Sequence, residues 1–429
     1  MLNENGDNVV SNDNNDMRSH HHSHHHSHHH SHHHGKHRRS HSHKRQNSKK
    51  KKFNINAKTV CAIAGVICML CIAFAVASAF DSKHPGFNDG YNGDQPSDIL
   101  VVKVNNQEGI LINKAINKYL LMDILNPANA NILPSSFSDG NVRLDAQVPV
   151  SLTVSIKENN AISYKIELAD NESFSNAKIF YIEAISGTCE FNHLYANTTY
   201  YYRVTVYTSK GTDVEVGCFK TADTPRILSI EGLSNVRDIG NWRVDSGKRI
   251  KQGLLIRGTE MDGAVEDAYC LTNKGLIDML EALGIKTDMD LRSQTATSKD
   301  ALGANVEHKY YSMVMYDDVF TDDGKDSVRR VFADLANPDN YPIYLHCTYG
   351  CDRTGIICYL LEALLGVSSG DCLRDYGLSD LNIANIQIVE NGLKAYEGDT
   401  LKEQVESYLL SCGVSEYQIK SIRSIFLGE

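Results

Sequence analysis

A cysteine and an arginine stand six positions apart, Cys347 and Arg353, with Gly350 between them. The apolar run Tyr341-Pro-Ile-Tyr-Leu-His346 leads in, and Thr354-Gly-Ile-Ile-Cys-Tyr-Leu-Leu361 leads out. A thiol is mostly protonated at neutral pH and is then a poor nucleophile, but a helix N-terminus and a neighbouring guanidinium stabilise the thiolate. A strand-like run before Cys347 and a helix-like run after Arg353 place the sulfur where both act. A loop of about six residues can curl until its backbone N–H groups converge on one anion, and Gly350 supplies the backbone freedom for that curl. Arg353 presents a planar fork that holds phosphoryl oxygens and follows them as phosphorus passes from tetrahedral to trigonal bipyramidal. Thr354 can direct its hydroxyl at the sulfur and ease its departure. His346 is expected to orient the loop rather than to act as a base. The spacing alone also fits a core thiol and a surface arginine. Its context, with an apolar helical stretch continuing through Leu365, favours the chemical reading: phosphate-ester hydrolysis through cysteine. The phosphate would be lined by Thr348, Tyr349, Gly350, Cys351 and Thr354.

His346-Cys-Thr-Tyr-Gly-Cys-Asp-Arg-Thr-Gly355 resembles the active-site loop of the protein tyrosine phosphatases, and of one bacterial branch in particular. Asn235-Val-Arg-Asp-Ile-Gly240 resembles that branch's opening motif, Asp290-Leu-Arg-Ser293 its central motif, and Asp375-Tyr-Gly-Leu-Ser379 its downstream element. The likeness runs over residues 225–429. Three positions depart from it. Cys351 stands where members acting on both phosphotyrosine and phosphoinositides commonly carry Lys, Asn241 replaces a second Gly, and Gln294-Thr-Ala-Thr297 lacks a Glu. The missing Lys counts against polyphosphorylated lipid head groups. The resemblance implies a two-step reaction, in which Cys347 attacks phosphorus while an aspartic acid protonates the leaving oxygen, and the same carboxylate then activates water. Asp352 and Asp290 match by motif and are preferred for that acid, with Asp317 and Asp318 as the other candidates. For Asp290 the competing role is to hold Arg292, itself expected at the substrate. No metal or organic cofactor is implied, because Arg353 and the backbone donors stabilise the charge.

The catalytic part is expected to be α/β, with a central, mostly parallel sheet, helices on both faces, and the loop at the carboxyl end of the strand ending at Leu345. Residues 401–427 carry helical spacing and should cover one side. Upstream, residues 135–223 alternate in short strands separated by turns, the pattern of an all-β sandwich. Within it Leu194-Tyr-Ala-Asn-Thr-Thr-Tyr-Tyr-Tyr-Arg-Val204 resembles the corner of a fibronectin type III domain, where Tyr200 bonds back to the chain. That domain is expected to act as a spacer. Cys189 and Cys218 are either bridged within it or free.

Residues 81–134 read as a linker with one short helix near 109–124. Residues 60–80 form a 21-residue run without a charge, long enough to span a bilayer as a helix. Lys49 to Lys52 and Lys58 precede it and Asp81 follows, so a single-pass anchor with a cytoplasmic N-terminus and an outward-facing phosphatase is expected. The alternative is a cleaved signal ending near Ala77-Ser-Ala79, which the long charged region before it disfavours. Residues 1–58 carry a net charge of +7 within a chain of 429 residues and net −10, and include four Ser-His-His-His units. Such a tract cannot bury a core, and its imidazoles suit transition-metal ions. The expected partner of the acidic remainder is a phosphorylated protein or peptide, and no nucleic acid. Two alternatives remain at this level: a phosphoinositide phosphatase, and a surface binding protein with an inactive phosphatase fold.

Overall fold

The computed structural model describes residues 100–140, 144–156, 161–183, 187–293 and 300–429. Among these, β1 (Leu100–Asn105), β2 (Val150–Ile156), β3 (Ala161–Ala169), β4 (Lys178–Glu183), β5 (Thr188–Phe191), β6 (Thr199–Thr208) and β7 (Gly211–Lys220) build two antiparallel sheets. Their orders are β1-β2-β5 and β4-β3-β6-β7. Side chains alternate across a strand, and one face of each sheet turns Leu152, Val154, Ile166, Leu168, Val204 and Val206 into a shared core. Tyr200 accepts a hydrogen bond from the N–H of Tyr195 at 2.8 Å. Cys189 and Cys218 are both free, the first buried and the second exposed.

The sandwich begins earlier than the strand spacing suggested. β1 lies within the stretch read as a linker, and residues 106–149 separate it from β2. The even spacing that marked the later strands is lost across that insertion, which hides β1. The insertion holds α1 (Lys114–Leu120), started by the Asn113 side chain, which accepts from the N–H of Ile116.

The C-terminal part is a six-stranded sheet of β8 (Arg226–Ile227), β9 (Arg237–Asp238), β10 (Leu255–Gly258), β11 (Thr287–Asp290), β12 (Glu307–Tyr310) and β13 (Ile343–His346), in the order β12-β11-β13-β10-β9-β8. β10 to β13 run parallel, while β8 and β9 join antiparallel at one edge. The helices are α2 (Asn273–Ile277), α3 (Asp322–Leu335), α4 (Asp352–Leu365), α5 (Ser369–Gly377), α6 (Ala384–Leu393), α7 (Leu401–Ser411) and α8 (Glu416–Leu427). Both sheet faces are covered. Ile343 and Leu345 pack with Leu255 and the α4 side chains, whereas Tyr344 points the other way, to Ile256, Val236 and Met279. α4 is buried on every side from Thr354 to Leu365, as a helix apolar all round must be. Gly366 ends it in the left-handed conformation. The helical spacing over 401–427 resolves into α7 and α8, broken at Gly413 with φ +92.

Among the described residues no helix is long and apolar enough to cross a membrane. The expected span at 60–80 and the His-rich segment at 1–58 lie outside the described residues.

Candidate active site

The loop from Cys347 to Cys351 joins the carboxyl end of β13 to the first turn of α4. Strand register sets Gly258 of β10 and Asp290 of β11 beside His346, so the loop rises where parallel strands end. Its carbonyls are all occupied. The Cys347 oxygen lies 3.0 Å from His346 Nδ1, the Thr348 oxygen accepts from the N–H of Glu260 at 2.9 Å, the Tyr349 oxygen from Asn235 Nδ2 at 3.1 Å, and the Gly350 oxygen from Arg257 Nη2 at 2.8 Å. By contrast, no described group accepts from the N–H of Thr348, Tyr349, Gly350 or Cys351. Occupied carbonyls with unpartnered N–H groups at a helix start are the arrangement of an anion nest. Gly350 makes the curl with φ +65, and a Cβ there would fall on the carbonyl oxygen of Gly258.

Buried ion pairs fix the loop from below. Asp375 receives Arg237 Nε at 3.1 Å and Arg257 Nη1 at 2.8 Å, with all three side chains almost fully buried. Burial alone would raise the Asp375 carboxyl, but the two guanidinium groups outweigh it and lower it. Among the described residues the Glu362 carboxyl of α4 has no hydrogen-bond partner; burial, then the charge of Asp375, raises it well above the usual range, so that it stays neutral. Asn235, held at φ +55, accepts from Arg237 Nη1 at 2.6 Å and lies 3.2 Å from Ser379 Oγ. The opening motif and the Asp375–Ser379 element therefore close into one clamp around the loop carbonyls.

A second buried cluster sits at the ends of β11 and β13. Arg292, 2% exposed, is ringed by Asp290, Asp262 at 2.9 Å, and Glu260. Asp288 pairs with His346 Nε2 at 3.0 Å and His308 Nδ1 at 2.6 Å. Burial would lower the His346 imidazolium, but the charges of Asp288 and Asp290 hold it up at about 9. Burial would raise Asp288, and the two histidines bring it down to about 2.

Arg353 differs from Arg237, Arg257 and Arg292. Among the described residues its guanidinium forms no ion pair, and its one hydrogen bond there is long, 3.5 Å from Nη2 to Thr348 Oγ1. It is free to take an anion. Next to it, Asp352 accepts a hydrogen bond from the Tyr316 hydroxyl, which also lies 3.0 Å from the Tyr376 hydroxyl. Burial, then the bond to Asp352, pushes the titration of Tyr316 far up, so it remains a donor. At the mouth, Tyr349 is 48% exposed and meets Tyr269 edge-on at 5.9 Å. Burial, then the neighbouring Cys347, raises Cys351 to about 11, which leaves its thiol protonated.

Residues 228–428 match the tyrosine phosphatase family. Over these residues the chain is similar to the protein tyrosine phosphatases, which supports that activity for it. A protein of Cupriavidus necator named as a tyrosine-protein phosphatase is 26% identical over 227 residues, which cover 47% of this chain and 79% of that protein. A tyrosine-protein phosphatase of Nostoc commune is 31% identical over 125 residues, 24% of this chain and 42% of that protein. Among solved structures, the core catalytic domain of the PP-IP phosphatase SIW14 of S. cerevisiae, in complex with citrate, aligns with a TM-score of 0.27 at 16% identity, over 38% of this chain and 86% of that one.

Cys347, Thr348, Gly350, Cys351, Asp352 and Arg353 lie together on the loop and the first turn of α4, with Tyr349 at the rim. Thr354 follows in the first turn of α4, fully buried and with its hydroxyl unpartnered. Two expectations change. Arg292 does not line the substrate site, because three carboxylates occupy its fork. Asp290 is fully buried and both its oxygens face Arg292, at 2.8 to 3.1 Å. Asp317 and Asp318 are exposed on the turn that carries Tyr316. Sequence reasoning missed Tyr316, Arg257, Asp288 and His308. Arg257 had a signal: a charge inside the buried run Leu255-Ile-Arg-Gly258. Tyr316 had none, since its reach to Asp352 depends on its left-handed backbone, φ +47.

The His346 cluster carries a pH dependence. The native pKa, about 9, lies above the ordinary value of 6.5, so native protein holds this proton more tightly than unfolded protein does. Its stabilisation is complete below about pH 6.5 and is lost as pH rises through about 9. Urea midpoints measured across that range should fall for the wild type and fall less for Asp288→Asn. Parallel slopes in the two proteins would contradict the assignment.

Proposed function

We propose that the chain is a membrane-anchored phosphatase that hydrolyses phosphotyrosine in proteins through a phosphocysteine at Cys347. The observation that carries this is the loop itself: carbonyls turned to other partners, unpartnered N–H groups, and Arg353 as a guanidinium with no carboxylate beside it. In the first step the Cys347 sulfur attacks phosphorus, the bond from phosphorus to the tyrosyl oxygen breaks, and that oxygen takes a proton from Asp352. In the second step Asp352 takes a proton from water, the water oxygen bonds to phosphorus, and the sulfur leaves as thiolate. The Thr354 hydroxyl assists by donating to the departing sulfur. Tyr316 aims the Asp352 carboxyl, while Asp290 keeps Arg292 in place and serves no proton.

Aryl esters fit the mouth better than polyphosphorylated head groups. Tyr349 and Tyr269 offer ring edges and faces to a phosphotyrosyl group, and the charges acting on Tyr269 from Glu266 and Asp145 are negative. Cys351 adds no cation. The full chain should therefore hydrolyse phosphotyrosyl peptides well ahead of phosphoseryl peptides and phosphoinositides assayed side by side. A preference for phosphoinositides would overturn the substrate assignment. Asp352→Asn should slow aryl esters with poor leaving groups by about 10²-fold or more, with little effect on esters whose leaving group needs no proton. Equal losses on both would move the acid elsewhere, Asp317 or Asp318 first.

The two-sheet unit with its Tyr200 corner reads as a fibronectin type III domain that spaces the enzyme from the bilayer. Residues 60–80 would supply the anchor, with the phosphatase outside the cytoplasm, and the His-rich tail a site for transition-metal ions. Protease added to sealed vesicles of known orientation reports the side, and zinc titration of the tail reports the metal. Phosphatase protected on the outer side, or a tail without bound zinc, would remove those assignments.

A further inference from the structure

The insertion between β1 and β2 lies wholly upstream of the residues that match the family, yet it packs into the phosphatase. Ile112, Ile116, Tyr119 and Ile124 are buried in the same core as Ile356 and Tyr376, while their neighbour Leu111 belongs to the sandwich core. A Cβ at Gly377 would overlap the Tyr119 hydroxyl, so α1 lies directly against the end of α5.

Three polar contacts of this insertion fall on the clamp or on the residues beside it. The Asn235 N–H donates to Asp145 Oδ2 at 2.9 Å. Arg374, just before Asp375, donates from Nη2 to the Met122 carbonyl at 3.0 Å. Asp380, just after Ser379, accepts from the N–H of Ser135 at 2.9 Å. Asn235 and Asp380 both carry positive φ, +55 and +57, a conformation that non-glycine residues keep only where surroundings hold it. Asn235 Nδ2 in turn bonds the Tyr349 and Gly350 carbonyls. The path from insertion to loop is thus one hydrogen bond to Asn235 and one more to the loop.

We infer that residues 106–140 and 144–149 are a positioning element of the phosphatase, with Asp145 and the Ser135–Asp380 contact holding the clamp that keeps the Cys347–Arg353 loop curled for an anion. This rests on reading that loop as the phosphate site. It also makes the catalytic unit longer than the residues that resemble other phosphatases, since a fragment beginning near residue 225 would lose these contacts and uncover the surface that Ile112, Ile116 and Tyr119 occupy.

The test uses full-length Asp145→Ala, Asp145→Asn and Asp380→Ala. Each is measured for kcat/KM on an aryl phosphate, thermal midpoint, and amide hydrogen exchange in the peptide spanning 347–353 with and without inorganic phosphate. A misplacement of about an ångström at a reacting centre costs on the order of 10²-fold. Asp145→Ala and Asp380→Ala should therefore lose about 10- to 100-fold in kcat/KM, with faster exchange confined to the loop and clamp. Asp145→Asn, which keeps an acceptor for the Asn235 N–H, should recover most of it. Wild-type kcat/KM and unchanged loop exchange in both alanine variants would overturn the inference. So would exchange raised uniformly over the domain, because the insertion would then contribute only general stability. The exchange readout needs no turnover, so it decides this point even if the chain hydrolyses none of the esters tried.

Discussion

Cys347→Ser should abolish turnover, lowering kcat/KM by more than about 10⁴-fold, while the protein still binds a phosphotyrosyl peptide. The serine hydroxyl is barely ionised at neutral pH, so the attacking atom becomes a weak nucleophile and a poor leaving group together. The binding elements stay. The loop carbonyls remain tied to Asn235, Arg257, Glu260 and His346, the N–H groups remain unpartnered, and Arg353 remains unpaired. Cys347 is 3% exposed in a packed setting, and serine is nearly its size, so the thermal midpoint should move little. Rescue by another thiol is not expected. Cys351 is the nearest in sequence, and burial, then the adjacent Cys347, holds it up at about 11. Stopped assays for turnover and calorimetry for peptide binding separate the two effects. Lost binding together with lost turnover would point to a collapsed loop.

Arg353→Lys should cost about 10²- to 10³-fold in kcat/KM, the scale seen when one preorganised donor to a developing charge is removed. The expectation follows from how the arginines are used. Arg237 and Arg257 share Asp375, and Arg292 faces Asp290, Asp262 and Glu260. Arg292 cannot turn to substrate without leaving buried carboxylates unpaired, which costs about 3–5 kcal/mol, and Arg237 and Arg257 are tied down together on Asp375. Arg353 alone among these four has no such partner. Lysine keeps the charge but offers a point donor in place of a planar fork, so the loss should fall mostly on kcat, where the equatorial oxygens spread. A loss confined to KM would mean that Arg353 binds the ground state and the transition state alike.

The loop was legible in the sequence because its chemistry is local. Cys347, Gly350 and Arg353 are bound together by a single turn between a strand and a helix, and the apolar runs on either side state both elements. The sandwich was legible through the alternation of its strands, and the parallel sheet was expected from the resemblance over residues 225–429. What supports the loop is not local. Arg257 reaches Gly350 across 93 positions and Asn235 reaches it across 115, so the opening and downstream motifs could be recognised without their partnership being visible. Arg292 and Asp290 misled because a charged pair beside a catalytic strand looks like a substrate contact until burial shows the two facing each other. β1 and the insertion were hidden because a lone edge strand followed by a long detour carries no repeat spacing. Its packing on the phosphatase depends on Ile112, Ile116 and Tyr119 meeting a surface more than 200 residues away in the chain.

The central claim is a covalent bond between Cys347 and phosphorus. Acid quenching the full chain within the first turnover of an aryl phosphate, followed by peptide mass spectrometry, addresses it most directly. Phosphate should appear on the peptide that carries Cys347, decay as water completes the cycle, and accumulate longer in Asp352→Asn. Product formed through the first turnover with no phosphate on Cys347, or with phosphate on another residue, would contradict it.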